Sequence, residues 1–252
     1  FGDQAQNLFE TAVAESHKTL ELLEKDSYRM LSYWSADYPE RLKNIEEPPW
    51  NLFFEGRIPK SFLPCLGVVG SRKPSQYGIE VMEEILGQLC TFKFQLISGL
   101  AYGIDAMAHE ITTQLKIPNT AVFGCGIDRI YPTDHFALAQ TILENGGTWL
   151  SEFPPGVPPL AFNFPRRNRI ISALADVVWI VQGTGYSGAG HTARYALNQG
   201  KELAATPGDI FSELSELPHQ LLQSGAQFVA SHKDLRTLLT KYQVNQQIEI
   251  NI

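Results

Sequence analysis

The sequence predicts an α/β protein in which a mostly parallel sheet is covered by helices on both faces. From residue 65 onward, short apolar runs of strand length alternate with stretches of helical periodicity. The short runs are apolar throughout, which is typical of parallel strands buried on both faces. Most of them end in glycine, serine or another small residue before the next helix begins. Together these observations indicate a repeated strand–helix unit.

Residues 1–60 precede this repeat and follow a different pattern. A helical apolar pattern over 7–31 predicts a small helical N-terminal region covering 1–33, either as a complete domain or as the remnant of one. Prolines and aromatic residues are frequent from Trp34 onward. They indicate an extended arm over 34–60 that packs on the core.

The α/β domain is expected to cover 61–240. Its predicted strands, in chain order, are Leu66–Val69, Gln95–Ile97, Thr120–Phe123, Thr148–Leu150, Val177–Val181, Leu203–Ala205 and Gln227–Val229. The predicted helices lie near 76–91, 103–116, 134–145, 166–175, 187–199 and 217–223. Residues 241–252 lack strong periodicity, and we expect them to form a tail.

The composition is that of an ordinary folded protein. Hydrophobic residues make up 44% of the 252-residue chain and charged residues 19%, which excludes the disordered class. No run of about 18 apolar residues is present, so we expect no membrane span. We also expect no secretory leader, and hence a cytoplasmic location. The cysteines are Cys65, Cys90 and Cys125. Their odd number and the lack of a Cys-x-x-Cys pair predict reduced thiols, and neither a disulfide framework nor a zinc site.

The net charge of −7 argues against a protein that coats its whole surface with nucleic acid. A local basic cleft within an acidic protein would instead select a thin anionic strand.

Three arginines point to such a cleft. Arg166, Arg167 and Arg169 follow Pro165 and lead into an apolar helical pattern. Proline is favoured in the first turn of a helix, so the arginines are predicted to lie on the opening turn. Cations are unfavourable at that end unless an anion balances them, because the helix dipole is positive there. We therefore predict a phosphate site, with two of the arginines binding the anionic ligand and one bracing Glu152 or Asp176.

Glycine-rich turns mark one edge of the predicted sheet. They follow successive strands at Gly70-Ser71-Arg72, Ser98–Gly103, Gly124-Cys125-Gly126, Gln182–Gly185 and Pro207-Gly208. Ligands of open α/β sheets bind at the carboxyl ends of the strands. Glycine there lets the backbone approach an anion, and the following helix N-terminus supplies free N–H groups. Five such turns predict an extended anionic ligand.

These motifs, taken together, resemble the DNA-processing protein A (DprA, also called Smf) family over about residues 35–230. The resemblance includes the stretches Tyr38–Leu42, Pro48-Pro49, Gly70–Arg72, Ser98–Asp105 with His109, Gly124–Asp128, Tyr131-Pro132, Ser151–Gly156, Phe164–Ile171, Ser187-Gly188, Thr192-Ala193 and Pro207-Gly208. It implies a Rossmann-like fold that binds single-stranded DNA, protects incoming strands in natural transformation and helps to load the RecA recombinase. It also implies a homodimer, which we place within residues 203–240.

The chain departs from the pattern of this family at several positions. Thr133 and His135 stand where many relatives carry lysine and asparagine, and Gln182 stands where a glutamate is common. The loop Ser187–Ala193 also differs from the usual family sequence.

The candidate nucleic-acid contacts combine arginines, polar residues that can reach phosphate oxygens, turn glycines and aromatic rings that can stack on bases. They are Gly70, Ser71, Arg72, Ser75, Gly99, Gly103, Gly124, Gly126, Tyr131, Phe164, Arg166, Arg167, Asn168, Arg169, Ser187, Gly188 and Thr192. Ser71, Ser75, Asn168 and Thr192 could equally be helix caps. Further rings near these loops are Phe153, Phe162 and Tyr186. We expect no catalytic residue, metal or cofactor.

Asp105 and His109 are four residues apart at the start of a predicted helix, so they share one face. This spacing could suggest an acid–base pair or half of a metal site. No second ligand pair accompanies them, and we assign them a structural role that holds the loop Ser98–Gly103.

Two other functions remain open from the sequence. A basic helix followed by a strand and a Gly-Thr loop resembles the lysine-decarboxylase-like nucleotide phosphoribohydrolases. That enzyme family has a glutamate soon after the loop, whereas no Glu or Asp occurs here between residues 183 and 201. A scaffold that binds only partner proteins is the other possibility, and it predicts no salt-dependent binding of oligonucleotides.

Overall fold

Seven parallel strands form the centre of the computed structural model, which describes residues 2–25, 27–58 and 63–249. The strands are β3 (Cys65–Val69), β4 (Gln95–Ser98), β5 (Asn119–Phe123), β6 (Thr148–Ser151), β7 (Val177–Ile180), β8 (Glu202–Ala205) and β9 (Gln227–Phe228). With β1 (Arg29–Ser32) and β2 (Asn51–Gly56) they make one sheet in the order β1-β2-β6-β5-β4-β3-β7-β8-β9. The predicted mixed α/β fold is confirmed.

Helices connect the parallel strands. They are α3 (Gln76–Gly87), α4 (Ile104–Gln114), α5 (Phe136–Glu144), α6 (Asn163–Leu174), α7 (Gly188–Asn198) and α8 (Glu216–Gln223). Short 3-10 turns precede α5 and α8, at Thr133–His135 and Glu213–Ser215. The remaining helices are α1 (Gly2–Lys25), α2 (Glu40–Lys43) and α9 (His232–Glu249).

The sheet is buried on both faces, as the uninterrupted apolar runs predict. Strand β3 illustrates this, because all five of its residues are buried. Cys65 and Val69 face the cluster that contains Ile170 of α6, whereas Leu66 and Val68 face the cluster that contains Met82 of α3. Alternate residues of one strand therefore contribute to two separate hydrophobic layers.

The order of the strands creates a crevice between β3 and β7. From β3 the chain moves outward through β4, β5 and β6, and then returns to the other side of β3 and moves outward again through β7, β8 and β9. The loops that follow β3 and β7 consequently diverge. In open α/β sheets this switch point is where ligands bind, outside the carboxyl ends of the strands.

The N-terminal arm belongs to the sheet itself. Strand β2 pairs antiparallel with β6, with Phe53 opposite Ser151, and β1 pairs antiparallel with β2. The predicted helical pattern over 7–31 is wrong after Lys25, because Arg29–Ser32 form a strand. Pairing with β2 decides this, and such pairing is invisible to local periodicity. The predicted boundary at 61 falls within residues 59–62, which lie outside the described residues.

Helix α9 corrects the predicted tail. It runs from His232 to Glu249, so the prediction of a tail is wrong over 241–249, and residues 250–252 lie outside the described part. The helix packs through Leu235, Leu238 and Leu239, which are buried in the same layer as α3. Their spacing of three and four residues was an available helical signal. Among the described residues, no helix has the length and apolar character needed to cross a membrane.

Candidate nucleic-acid interface

Loops from three neighbouring strands and the first turns of α6 and α7 enclose a pocket of about 370 Å³ at the switch point. Most of the predicted contact residues of this region line it. The lining residues are Val69, Gly70, Ser71, Arg72, Ala101, Asp105, Phe164, Pro165, Arg167, Asn168, Gly183, Thr184, Ser187, Gly188, Ala189, Thr192 and Leu214. Sequence reasoning missed Thr184 and Leu214, which carry no chemical signal that would single them out.

Helix α6 begins earlier than the sequence predicted. Its first residue is Asn163, which makes Pro165 the third helical residue and Arg166 the fourth. The influence of the helix dipole falls off within the first turn. The helix dipole therefore acts on these arginines less strongly than predicted. The contacts of each guanidinium decide its role.

The guanidinium of Arg169 is paired with other groups of the protein. Its guanidinium forms a bidentate ion pair with Glu152, with Nη1–Oε1 and Nη2–Oε2 distances of 2.6 and 2.7 Å. Its Nε donates to the carbonyl of Glu47 at 2.9 Å, and only 3% of the side chain is exposed. Arg169 is thus the bracing arginine, and the prediction that it contacts DNA is wrong. The other expected brace, Asp176, pairs with Arg41 instead.

Arg167 is also buried, on the opposite side of α6. It donates through Nη1 to the carbonyls of Gly99, at 2.8 Å, and Val122. Burial lowers its pKa to about 10, although nearby Asp105 opposes that shift. Asp105 accepts from the N–H of Gly99 at 3.2 Å, and its burial raises its pKa to about 6 against the effect of Arg167. These groups hold the loop after β4 beneath the pocket.

Two arginines remain exposed at the rim of the carboxyl edge. Arg72 follows β3 and lines the mouth of the pocket. In the described residues it has neither an ion pair nor a side-chain hydrogen bond. The Arg166 side chain is 55% exposed, and its Nε lies 3.7 Å from an oxygen of Glu152 that Arg169 already occupies. Both guanidinium groups are available to an anion.

The turn glycines have two different roles. A Cβ atom at Gly99 would lie 2.5 Å from Nη2 of Arg167, and one at Gly124 would lie 2.7 Å from the ring of Phe164. At these positions the protein itself fills the space that was predicted for an anion. A Cβ at Gly188 would meet nothing within 4 Å. Gly188 therefore leaves the start of α7 open to a ligand.

The other glycines predicted as contacts are also crowded. A Cβ at Gly70 would approach the side chain of Ile104, one at Gly103 the backbone of Ser71 and Arg72, and one at Gly126 the carbonyl of Pro154. These close approaches position the loops around the pocket.

Aromatic rings flank the same edge. Tyr131 is 46% exposed, and its ring centroid lies 5.2 Å from that of Phe164, which lines the pocket. Phe162 and Tyr186 are more exposed still. Phe153 is only half-buried and is absent from the pocket lining. The exposed rings offer faces on which bases can stack.

Two of the residues at which the chain departs from the family pattern, Gln182 and His135, have structural partners. Gln182 accepts from the N–H of Ser75 at 3.0 Å and donates to its Oγ at 2.8 Å. Both bonds together need a donor and an acceptor on one side chain, which an amide has and an ionised carboxylate lacks. Ser75 also caps α3 by accepting from Gly78, so it serves as a cap. Nδ1 of His135 lies 2.8 Å from the carbonyl of Leu100.

Asp105 holds the loop after β4, as predicted, whereas the side chain of His109 contacts Asn119 of β5. Nδ1 of His109 lies 2.5 Å from Oδ1 of Asn119, and burial lowers the histidine pKa to about 4. Asn119 in turn donates to the carbonyl of His109 at 3.2 Å. Among the residues with described side chains, no group of three or more His, Cys, Asp or Glu could hold a metal ion.

Comparison with known proteins gives consistent results. The profile of the DNA recombination-mediator protein A family matches residues 29–240. Protein Smf of Escherichia coli is 40% identical over 232 residues, which cover 92% of this chain but 62% of that protein, so the chain spans less than two thirds of this relative.

Two solved structures are also similar. DNA processing protein A (DprA) from Streptococcus pneumoniae has a TM-score of 0.80 and 34% identity, with 86% of this chain and 77% of that chain covered. DNA processing protein A from Helicobacter pylori, described for its single-stranded DNA binding mode, has a TM-score of 0.76 and 29% identity, with 85% and 97% covered.

Proposed function

Because the chain belongs to the DNA recombination-mediator protein A family, we propose that it binds single-stranded DNA as a non-enzymatic mediator of recombination and natural transformation. It would protect incoming strands in the cytoplasm and help to load the RecA recombinase. One observation carries this proposal. Arg72 lines the pocket at the switch point, and Arg166 is exposed near the start of α6, outside that lining, in a protein whose net charge is −7.

The geometry favours a single strand over a duplex. Exposed rings of Tyr131, Phe162 and Tyr186 lie on the loops that follow β5, β6 and β7, at the carboxyl edge of the sheet. Unpaired bases can stack on such rings, and each stacked base contributes about 1–3 kcal/mol with little sequence preference. Bases inside a duplex are already stacked and paired, so they cannot use these faces. The acidic remainder of the surface repels the broad polyanion that a duplex presents.

Alanine substitution of the exposed arginines tests the proposal. Arg72→Ala and Arg166→Ala should each weaken binding of oligo-dT by about tenfold, because a hydrogen bond to a charged group is lost. Each should also make the logarithmic salt slope shallower by about 0.7, from an initial value of about −2 to −3. Fluorescence anisotropy of labelled dT20 in a salt series measures both quantities.

A matched control is available on the far side of the molecule. Arg236 is exposed on α9, and Arg236→Ala should leave affinity and salt slope unchanged. Tighter binding of duplex than of single strand, or unchanged affinity in both rim variants, would refute the proposal.

The partners expected from the family complete the proposal. We place the homodimer contact within residues 203–240, where the short strand β9 forms one edge of the sheet and Phe228 is 58% exposed. The RecA interaction is tested by measuring the rate of RecA filament growth on dT strands coated by this protein. Growth is expected to be faster than on strands coated by an unrelated single-strand binder. Equal growth on the two kinds of strand would contradict the mediator role.

The phosphoribohydrolase alternative is not favoured. The loop from Gly183 to Gly200 carries no carboxylate, so a developing oxocarbenium ion would lack its usual stabiliser there. Asp105 lines the pocket, but it accepts from the backbone of Gly99 and lies beside Arg167. Release of free base from nucleoside monophosphates, followed by chromatography, would reveal an enzyme of this class, and we expect none above background.

A further inference from the structure

Two hydroxyl groups at the start of α7 are buried without a hydrogen-bond partner among the described residues. They are Oγ of Ser187 and Oγ1 of Thr192. Thr192 is 0% exposed, and both residues line the pocket at the switch point. Buried hydroxyls of this kind are rare, because each has given up its bonds to water. An acceptor inside the pocket would complete them.

Thr192 differs in this respect from other helical threonines of the chain. Four of them donate to the carbonyl four residues earlier, at 2.6–2.8 Å: Thr112, Thr141, Thr237 and Thr240. For Thr192 that carbonyl belongs to Gly188, which instead accepts from Nδ2 of Asn168 at 3.3 Å. The Thr192 hydroxyl therefore keeps its proton for a group in the pocket.

The surroundings of these hydroxyls favour a negatively charged acceptor. Ser187 stands at the N-cap of α7 but forms no side-chain cap, and the first turn contains no acidic residue. In that turn the N–H of Gly190 donates to the carbonyl of Ser187 at 3.0 Å. The N–H groups of Gly188 and Ala189 come before the first intrahelical bond and favour anions. Arg72 stands at the mouth of the pocket. The one carboxylate in the lining, Asp105, is offset by Arg167 beside it.

We infer that this pocket binds a phosphate monoester, either the terminal phosphate of a strand or the phosphate of a free nucleotide. The inference rests on the proposed function and adds a specific ligand for this pocket, a terminal phosphate. The volume of about 370 Å³ lies near the small end of ligand pockets, so it suits one nucleotide. A monoester has three terminal oxygens for the hydroxyl and N–H donors, and its single ester link needs one exit.

A diester inside a continuous strand fits this pocket less well. It has two free oxygens, fewer than the donors that Ser187, Thr192 and the first turn of α7 supply. Its two ester links would also need two exits from around a hydroxyl that is completely buried. The rim arginines Arg72 and Arg166 are therefore assigned to the diesters of the strand, and the start of α7 to its terminal phosphate.

The test compares dT20 carrying a 5′-phosphate, a 3′-phosphate or only hydroxyl ends. The unsubstituted protein should bind at least one phosphorylated form about tenfold more tightly than the hydroxyl form, as expected for hydrogen bonds to a charged group. Thr192→Val keeps the shape of the side chain but removes the hydroxyl, and it should reduce this ratio to less than twofold. Thr192→Ser keeps the hydroxyl and should preserve the ratio.

Competition distinguishes the two sources of the monoester. If dTMP displaces the phosphorylated strand, the free nucleotide is itself a ligand; if only the strand shows the advantage, the ligand is a strand end. Both results support the inference. Equal affinity for all three strands, with no competition by dTMP, overturns it while the proposed function stands. If no strand binds but calorimetry detects dTMP in a Thr192-dependent manner, the proposed function fails and the pocket assignment survives.

Discussion

Three arginines within four positions of α6 have three different environments. Arg166 is half-exposed, Arg167 is buried against backbone carbonyls, and Arg169 is buried against Glu152. Their spacing already predicts that Arg166 and Arg169 share a face while Arg167 points elsewhere. Which face meets solvent depends on where Glu152 and Gly99 lie, and these residues come from distant parts of the chain. The sequence therefore predicts the grouping, and tertiary contacts decide the roles.

Arg166 and Arg169 both contact the Glu152 carboxylate, so substitutions at the two positions separate the exposed contact from the buried ion pair. Arg169→Ala should lower the free energy of unfolding by about 3–5 kcal/mol, because it leaves the buried charge of Glu152 without its partner. Arg166→Ala removes the weaker, exposed contact of the same carboxylate and should cost no more than about 1 kcal/mol. Urea denaturation measures both values. Equal losses in the two variants would show that the assignment of the bracing arginine is wrong.

The buried pair Asp105 and His109 should produce opposite pH dependences. The pKa of Asp105 is raised to about 6 from 3.8 in the folded protein, so the folded state holds this proton more tightly and the stability that Asp105 contributes falls as the pH rises through that window. The pKa of His109 is lowered to about 4 from 6.5, so its contribution rises with pH between these values.

Asp105→Asn removes the pH dependence of stability that Asp105 causes and leaves that of His109. Between pH 4 and pH 6, the stability of the variant relative to the unsubstituted protein should therefore increase by about 2 kcal/mol. Urea denaturation at a series of pH values tests this. The variant of an exposed carboxylate, Asp37→Asn, should follow the unsubstituted protein, and a parallel profile for Asp105→Asn would contradict the burial argument.

At the scale of elements, the seven predicted strands lie within one residue of the observed ones at each end. The residues of the six strands from β3 to β8 are almost all buried, so their apolar runs report the strands directly, whereas both residues of β9 are exposed. The elements that sequence reasoning missed are β1, β2 and α9. Strand β1 exists because it pairs with β2, and β2 because it pairs with β6. Such pairing joins segments far apart in sequence, and local periodicity does not record it.

Helix α9 should contribute to stability through its buried leucines. Leu239 is 0% exposed and packs in the layer that also contains α3. Leu239→Ala should lower the free energy of unfolding by about 2–5 kcal/mol, since it removes buried methyl groups and leaves a cavity. Thr240→Ala, at the exposed neighbouring position, should change it by less than about 0.5 kcal/mol. A cost for Leu239→Ala as small as that of Thr240→Ala would mean that α9 does not pack as described.

At the scale of the whole molecule, an acidic protein presents a local cationic edge. Arg72 and the start of α7 line the pocket at the switch point, where the strand order reverses, and Arg166 is exposed near the start of α6. The two sides of the sheet, at its first and last strands, differ from each other. One is closed by the antiparallel strands β1 and β2, whereas the other ends in the two-residue strand β9. Edge strands with unpaired backbone groups are natural sites of association.

The proposed homodimer should depend on the β9 edge. Phe228→Lys places a charge on that edge and should convert a dimer into a monomer in sedimentation velocity at micromolar concentration. Phe136→Lys is a matched control, because Phe136 is also 58% exposed but lies on α5. A monomer without any substitution, or a dimer that survives Phe228→Lys, would rule out this interface.

The sequence by itself determined the parallel α/β core, the edge of the sheet at which we propose a ligand site and the family to which the chain belongs. These follow from local patterns, because buried strands and glycine turns are encoded by contiguous residues. Only the tertiary structure decided that Arg167 and Arg169 brace the protein, that Gln182 holds Ser75, and that the Thr192 hydroxyl has no hydrogen-bond partner among the described residues. Each of these depends on a group from another segment, which only the folded chain brings within hydrogen-bonding distance.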